Sequence, residues 1–131
     1  MTERPTLGIG LMSGTSLDGM DAALVRFTGP THVELVEFVS RAYAPDERDA
    51  LLAALRDGTP AALAGLHVQV AEWAAEATDL LIAEARVAAS ELAFIAMHGQ
   101  TVWHEPPRVS WQLGEPSVLA ERFGRPVVSN F

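Results

Sequence analysis

Gly10-Leu11-Met12-Ser13-Gly14-Thr15-Ser16-Leu17-Asp18-Gly19-Met20-Asp21 reads as a turn held between two strands. Before the turn, Thr6 to Ser13 is a run of small and apolar residues, the pattern of a buried strand. After it, Met20, Ala22 and Leu24 alternate in part with Asp21 and Arg26, which gives a second strand from Met20 to Phe27. Asp18-Gly19 between two such runs is a strong hairpin signal. Gly29-Pro30 turns the chain again, and Val33 to Tyr43 follows as a third strand, with Val33, Leu35 and Val39 expected on one face. Three consecutive antiparallel strands make a meander.

Helical patterning comes next. Pro45-Asp46 opens a segment with Glu47 and Asp49 as first-turn charges, and Gly58 closes it. Thr59 reads as an N-cap with Pro60 at the first helical position. Leu63, Leu66, Val70, Trp73, Ala77, Leu80, Leu81 and Ala85 then recur at helical spacing, with Gly65 expected to split off the first turn. Glu91 to Met97 is a short apolar strand and His98 to Pro107 a loop. Val109 to Leu113, Pro116 to Phe123 and Pro126 to Ser129 read as strand, helix and strand. Helices packed on a mixed sheet place the chain in the α/β class. The chain stops at Phe131 directly after a strand, without a polar tail, so truncation or a split gene product is expected.

Composition removes several function classes. The 131 residues are 49% apolar, enough for a core, and contain no cysteine, so disulfides, thiolate metal sites and cysteine nucleophiles are excluded. The formal net charge of -8 argues against nucleic acid and anionic membrane surfaces as partners. Neither a leader sequence nor a long apolar run is evident, and the cytoplasm is the expected location. All nine basic residues are arginine. A Walker A loop and a protein-kinase phosphate site both need lysine, so neither is available, and any nucleotide must be held by backbone amides, hydroxyls and a metal ion.

The turn has the ingredients for that. Glycines admit close backbone approach, Ser13, Thr15 and Ser16 add hydroxyls, and Asp18 or Asp21 can hold Mg²⁺ through water. From residue types alone an unliganded hairpin turn accounts for the same stretch. A dinucleotide fingerprint does not fit, because Gly8, Gly10 and Gly14 are spaced wrongly and a strand follows. Further on, His98 and Gln100 read either as hydrogen-bonding groups for a ligand past a strand end or as members of a polar loop, and Trp103 is expected in the core. His98 and His104 lack a third ligand at sensible spacing, so no metal site is assigned.

Met12 to Asp21 resembles the signature of the anhydro-N-acetylmuramic acid kinases. His98-Gly99-Gln100-Thr101-Val102-Trp103-His104-Glu105-Pro106 resembles that family's second motif. Gln112-Leu113-Gly114-Glu115-Pro116, with Ala120-Glu121-Arg122 and the segment Pro126 to Phe131, resembles its third. The likeness spans essentially the whole chain, in order.

The resemblance implies the fold of the sugar kinase, actin and Hsp70 ATPase group. Residues 1–131 would then be an actin-like (ribonuclease H-like) N-terminal lobe of a sugar kinase: a mixed sheet with an opening meander and packed helices, its C-terminal lobe absent. It also implies that Gly14, Thr15, Ser16, Leu17, Asp18, Gly19, Met20 and Asp21 line the phosphates of ATP, with Mg²⁺. His98, Gln100 and Gln112 would serve the anhydro sugar. The implied reaction opens the 1,6-anhydro ring of anhydro-N-acetylmuramic acid with water and moves the γ-phosphoryl group to O6, in cell-wall sugar recycling. The family's general base is an aspartate that would lie beyond Phe131, so no catalytic residue is assigned in this chain. The isolated chain is then expected to be inactive, with the missing C-terminal part or a homodimer partner completing it. The alternative is a non-catalytic remnant or small domain that binds nucleotide or sugar.

Overall fold

The computed structural model describes residues 5–131. The meander forms as expected: β1 (Thr6–Ser13), β2 (Gly19–Phe27) and β3 (Val33–Ala42) pair antiparallel in sequence. Helices α1 (Pro45–Asp57) and α2 (Pro60–Ala85) lead to β4 (Leu92–Glu105). Then β5 (Val109–Leu113), α3 (Pro116–Phe123) and β6 (Val127–Ser129) complete the described chain. The six-stranded sheet runs β3-β2-β1-β4-β5, with β6 pairing β4. β4 is parallel to β1 and β6 but antiparallel to β5.

One face of the sheet carries the core. Ile9 and Leu11 of β1, Met20, Ala22 and Leu24 of β2, and Ile95 and Met97 of β4 are buried against α2, which inserts Leu66, Val70, Trp73, Ala77 and Leu81. Each fully buried Leu, Val or Met contributes about 1.5–3 kcal/mol relative to exposure. Thr59 Oγ1 accepts the Ala62 N–H at 3.1 Å and starts α2. The helix does not break at Gly65 as expected. Gly65 is exposed, and its cost of about 1 kcal/mol against alanine is small beside the burial of a 26-residue helix. Leu80 faces out rather than joining the apolar stripe.

The other face has no helix over it among the described residues. Met12, Val33, Leu35, Phe38, Val128 and Phe131 are all exposed large apolar side chains. Two expectations change here. Between Val25–Leu35 and Leu24–Glu37 the β2–β3 register shifts by one residue. This bulge reverses side-chain parity along β3, so Val39 pairs Ala22 on the covered face while Val33 and Leu35 pair Phe27 and Val25 on the open one. The second concerns 98–107. The expected loop is largely the second half of β4, paired with β5 from Gln100 to Glu105. Its polar residues read as a loop because this half is a hairpin arm, unlike the apolar, centrally placed first half.

Candidate functional site

Parallel strands β1, β4 and β6 bring their carboxyl ends to one edge of the sheet. Ser13 lies beside Gln100 and Met97 beside Ser129 in register. The turn after β1, the His98-Gly99 bend of β4 and Asn130 after β6 therefore gather there, the usual place for ligands of α/β sheets. Gly99 makes the bend possible. It has φ +82°, and a Cβ would sit 2.3 Å from the Leu113 carbonyl oxygen. There β4 leaves β6 and takes up β5.

The turn itself is built from inside. Leu17 donates its N–H to the Gly14 carbonyl at 3.2 Å and adopts φ 56°. That left-handed conformation costs a leucine about 1–2 kcal/mol, and burial of its side chain in the core offsets it. Tyr43 N–H donates to the Asp18 carbonyl at 2.9 Å and closes the far end. Thr15, Ser16 and Asp18 stay exposed. Among the described residues, their backbone N–H groups donate to no protein acceptor. A Cβ on Gly14 would meet only Ser16 Oγ, at 3.9 Å, so no other described residue beyond its chain neighbours fills the space above it. Gly19 is different: a Cβ there would lie 2.5 Å from the Arg41 carbonyl oxygen, so this glycine serves the close β2–β3 approach. Of the eight residues assigned to the phosphates, Gly14, Thr15, Ser16, Asp18 and Asp21 reach the surface, while Leu17, Gly19 and Met20 are buried beneath it. Asp21 Oδ1 accepts the Ser40 hydroxyl at 2.7 Å on the open face.

Ser13 was expected to add a hydroxyl to the turn, but its hydroxyl points inward. Its proton goes to Gln100 Oε1, and its oxygen lies 2.6 Å from Tyr43 Oη. With the Ser13 proton committed, the tyrosine must donate. The chain of donors runs Tyr43 to Ser13 to Gln100, and Gln100 Nε2 ends it on the Thr101 carbonyl at 3.2 Å. Burial is the main cause holding the Tyr43 hydroxyl above its ordinary pKa, so it remains a donor. Its ring packs 4.9 Å from that of Trp73.

The residues assigned to the sugar divide in the same way. His98 is half-buried and lines a cleft of about 270 Å³ with Gln112, Trp111, Ser129, Asn130 and His67. Gln112 Nε2 donates to Ser110 Oγ at 2.7 Å on the rim of this cleft. Gln100 does not reach it: the residue is 1% exposed, and its carboxamide is held by Ser13 and Thr101. Trp103, expected in the core, is 54% exposed and pairs with Trp111 across the β4–β5 hairpin. The unexpected strand continuation carries it away from the core.

Two contributors had no sequence signal. His67 of α2 accepts the Gly114 N–H on Nδ1 at 2.9 Å and donates from Nε2 to Glu115 at 3.0 Å, fixing the wall of the cleft. Tyr43 was read only as the end of a strand. Nearby, Arg41 ties β3 to both long helices through Glu47 (2.6 Å) and Glu76 (2.7 Å). The Arg41 hydrogen bond is the largest cause holding the Glu47 carboxyl below its ordinary value. Glu47 also accepts the Ala44 N–H at 2.8 Å, so its helix-start role and its ion pair coexist.

Residues 6–131 match the family model described as anhydro-N-acetylmuramic acid kinase. A relative of that name from Xanthomonas campestris pv. campestris is 42% identical over 133 residues, covering 95% of this chain and 35% of its own length. One from Gloeobacter violaceus is 40% identical over 138 residues, covering 97% and 36%. Another, from Caldanaerobacter subterraneus subsp. tengcongensis, is 37% identical over 139 residues, covering 95% and 35%. The chain thus spans about a third of the length of these curated relatives. No helix among the described residues is long and apolar enough to cross a membrane.

Proposed function

The chain belongs to the anhydro-N-acetylmuramic acid kinase family, and from that premise we propose that it is the phosphate-gripping N-terminal lobe of such a kinase. The observation that carries this reading is the open turn from Gly14 to Asp18, which presents the Thr15, Ser16 and Asp18 N–H groups, unpartnered among the described residues, and the Thr15 and Ser16 hydroxyls at the carboxyl edge of the parallel strands. Such a donor set suits the phosphates of ATP without a lysine. Asp18 and Asp21 are the exposed carboxylates beside the turn that would hold Mg²⁺ through water. An ion held there would supply neutralising charge to the phosphates.

The cleft holding His98 and Gln112 would take the anhydro sugar: His98 Nδ1 donates to the Gly99 carbonyl and Gln112 Nε2 to Ser110 and Thr101, so His98 Nε2 and Gln112 Oε1 would accept from its hydroxyls, with Gln100 behind them. In the proposed reaction water adds to C1, the 1,6-bridge oxygen leaves C1, and that oxygen becomes O6 by bonding the γ-phosphorus as its bond to the β,γ-bridging oxygen breaks and ADP leaves. The base that takes the proton from water is not assigned within residues 1–131. The chain spans only about a third of its relatives, so we propose that it does not turn over alone. Calorimetric titration with Mg²⁺–ATP, beside a coupled kinase assay with the anhydro sugar, tests both parts. Binding without turnover is expected; absence of nucleotide binding contradicts the phosphate reading, and turnover by the isolated chain contradicts the incomplete-site reading.

A further inference from the structure

We propose that Tyr43, Ser13 and Gln100 form a positioning unit that presets the turn from Gly14 to Asp18 and locks it to the His98-Gly99 bend; the ligand-binding part of this proposal rests on reading that turn as a phosphate loop.

The turn has few restraints of its own: one internal hydrogen bond, Leu17 to Gly14. Its two ends are set from outside. Ser13 is the last residue of β1, immediately before the turn, and its hydroxyl is fixed by Tyr43 and Gln100. Asp18 is the last residue before β2, and its carbonyl is fixed by the Tyr43 N–H. One residue, Tyr43, therefore holds the near end through its side chain and the far end through its backbone. On the other flank, Gln100 follows the left-handed Gly99, so the same hydrogen-bond chain reaches the strand bend that carries His98.

All three side chains are buried, and none of their buried side-chain atoms lacks a partner among the described residues. The direction of the chain makes each member necessary. Without the Ser13 hydroxyl, Gln100 Oε1 loses its donor and Tyr43 Oη its acceptor, and buried unpartnered groups are expensive. A fixed turn keeps the Thr15, Ser16 and Asp18 N–H groups, which meet no acceptor among the described residues, in place before a ligand arrives, which is how preorganisation raises affinity. These residues touch no ligand in this account; they act through the backbone they hold.

The test compares the chain with Tyr43→Phe, Ser13→Ala and Ser13→Thr. Tyr43→Phe keeps the ring against Trp73, so it remains informative if Ser13→Ala fails to fold. Native-state amide exchange is followed residue by residue, and affinity for Mg²⁺–ATP is measured by calorimetry. Loss of one such bond is expected to speed exchange at the Leu17 N–H and weaken Mg²⁺–ATP binding by about tenfold each. Exchange in α2 should stay unchanged, and Ser13→Thr should restore the parent behaviour. Unchanged exchange at Leu17 in a folded Tyr43→Phe overturns the proposal. So does exchange accelerated evenly over the sheet and α2, which is the mark of a purely structural bond. If the parent chain binds no Mg²⁺–ATP, the phosphate reading fails, and the exchange measurement still decides whether the unit positions the turn.

Discussion

Ser13 Oγ and Tyr43 Oη lie 2.6 Å apart, so the last residue of β1 and the residue just past β3 meet beneath the turn that joins β1 to β2. The exposed part of the turn is polar and small; the part that shapes it is buried. Substitutions should therefore separate shape from ligand contact.

The two glycines flanking the turn give the clearest separation. Gly14→Ala places a Cβ in open space and should leave the thermal midpoint within about 2–3 °C, in line with a surface change of under 0.5 kcal/mol. It should nevertheless weaken Mg²⁺–ATP binding, because the new methyl group stands where phosphate would approach. Gly19→Ala forces a Cβ to 2.5 Å from the Arg41 carbonyl oxygen and should cost about 1–3 kcal/mol of stability. Thermal melts beside calorimetric titrations check both.

Gly99→Ala combines a left-handed φ of 82° with a Cβ 2.3 Å from the Leu113 carbonyl oxygen. It should destabilise the fold by more than 1–2 kcal/mol and detach β5 from the bend. Urea denaturation gives the energy, and amide exchange at Leu113 shows where the damage lies.

Most of the architecture was legible in the sequence because local signals agreed with tertiary packing. Asp18-Gly19 between apolar runs, Thr59-Pro60 before α2 and the 3–4 spacing of Leu66, Val70, Trp73, Ala77 and Leu81 all pointed the same way. The misses have physical causes. The β3 bulge flips Val33 and Leu35 without any change in composition. The second half of β4 is polar because it is a hairpin arm, so its composition imitates a loop and places Trp103 wrongly. At the site, the exposure of the polar turn residues Thr15, Ser16 and Asp18 was readable from their types. The partnership of Ser13, Tyr43 and Gln100 was not, since residues so far apart in the chain meet only after the sheet has formed.

Acid should loosen the β3–α1–α2 corner. The folded Glu47 carboxyl lies below its ordinary 4.5, first because Arg41 hydrogen-bonds to it. Its contribution is present above 4.5 and is lost as pH falls through the depressed folded value. Tyr43 has the opposite sign: burial raises it above 10.0, so its contribution is intact below 10.0 and declines as pH rises through the folded value. Urea midpoints should fall below pH 4.5 and above pH 10, and Glu47→Gln should flatten the acid limb.

The open sheet face should make the chain self-associate. Leu35 is 61% exposed and Phe38 51%, beside Met12, Val128 and Phe131. Of these, Met12, Phe38 and Phe131 line one hollow, and exposed apolar surface promotes association. Light scattering should show concentration-dependent growth that Leu35→Glu together with Phe38→Lys suppresses; a monomeric parent chain at high concentration would count against this.

A lysine-free turn that grips nucleotide phosphate must do so through its main-chain nitrogens and hydroxyls. Backbone amide resonances followed while Mg²⁺–ATP is added report on those nitrogens one by one. The largest shifts should fall on Thr15, Ser16 and Asp18, with smaller ones at Leu17 and Gly19, and they should vanish in Gly14→Val. Saturable shifts elsewhere with those amides unmoved would contradict that grip.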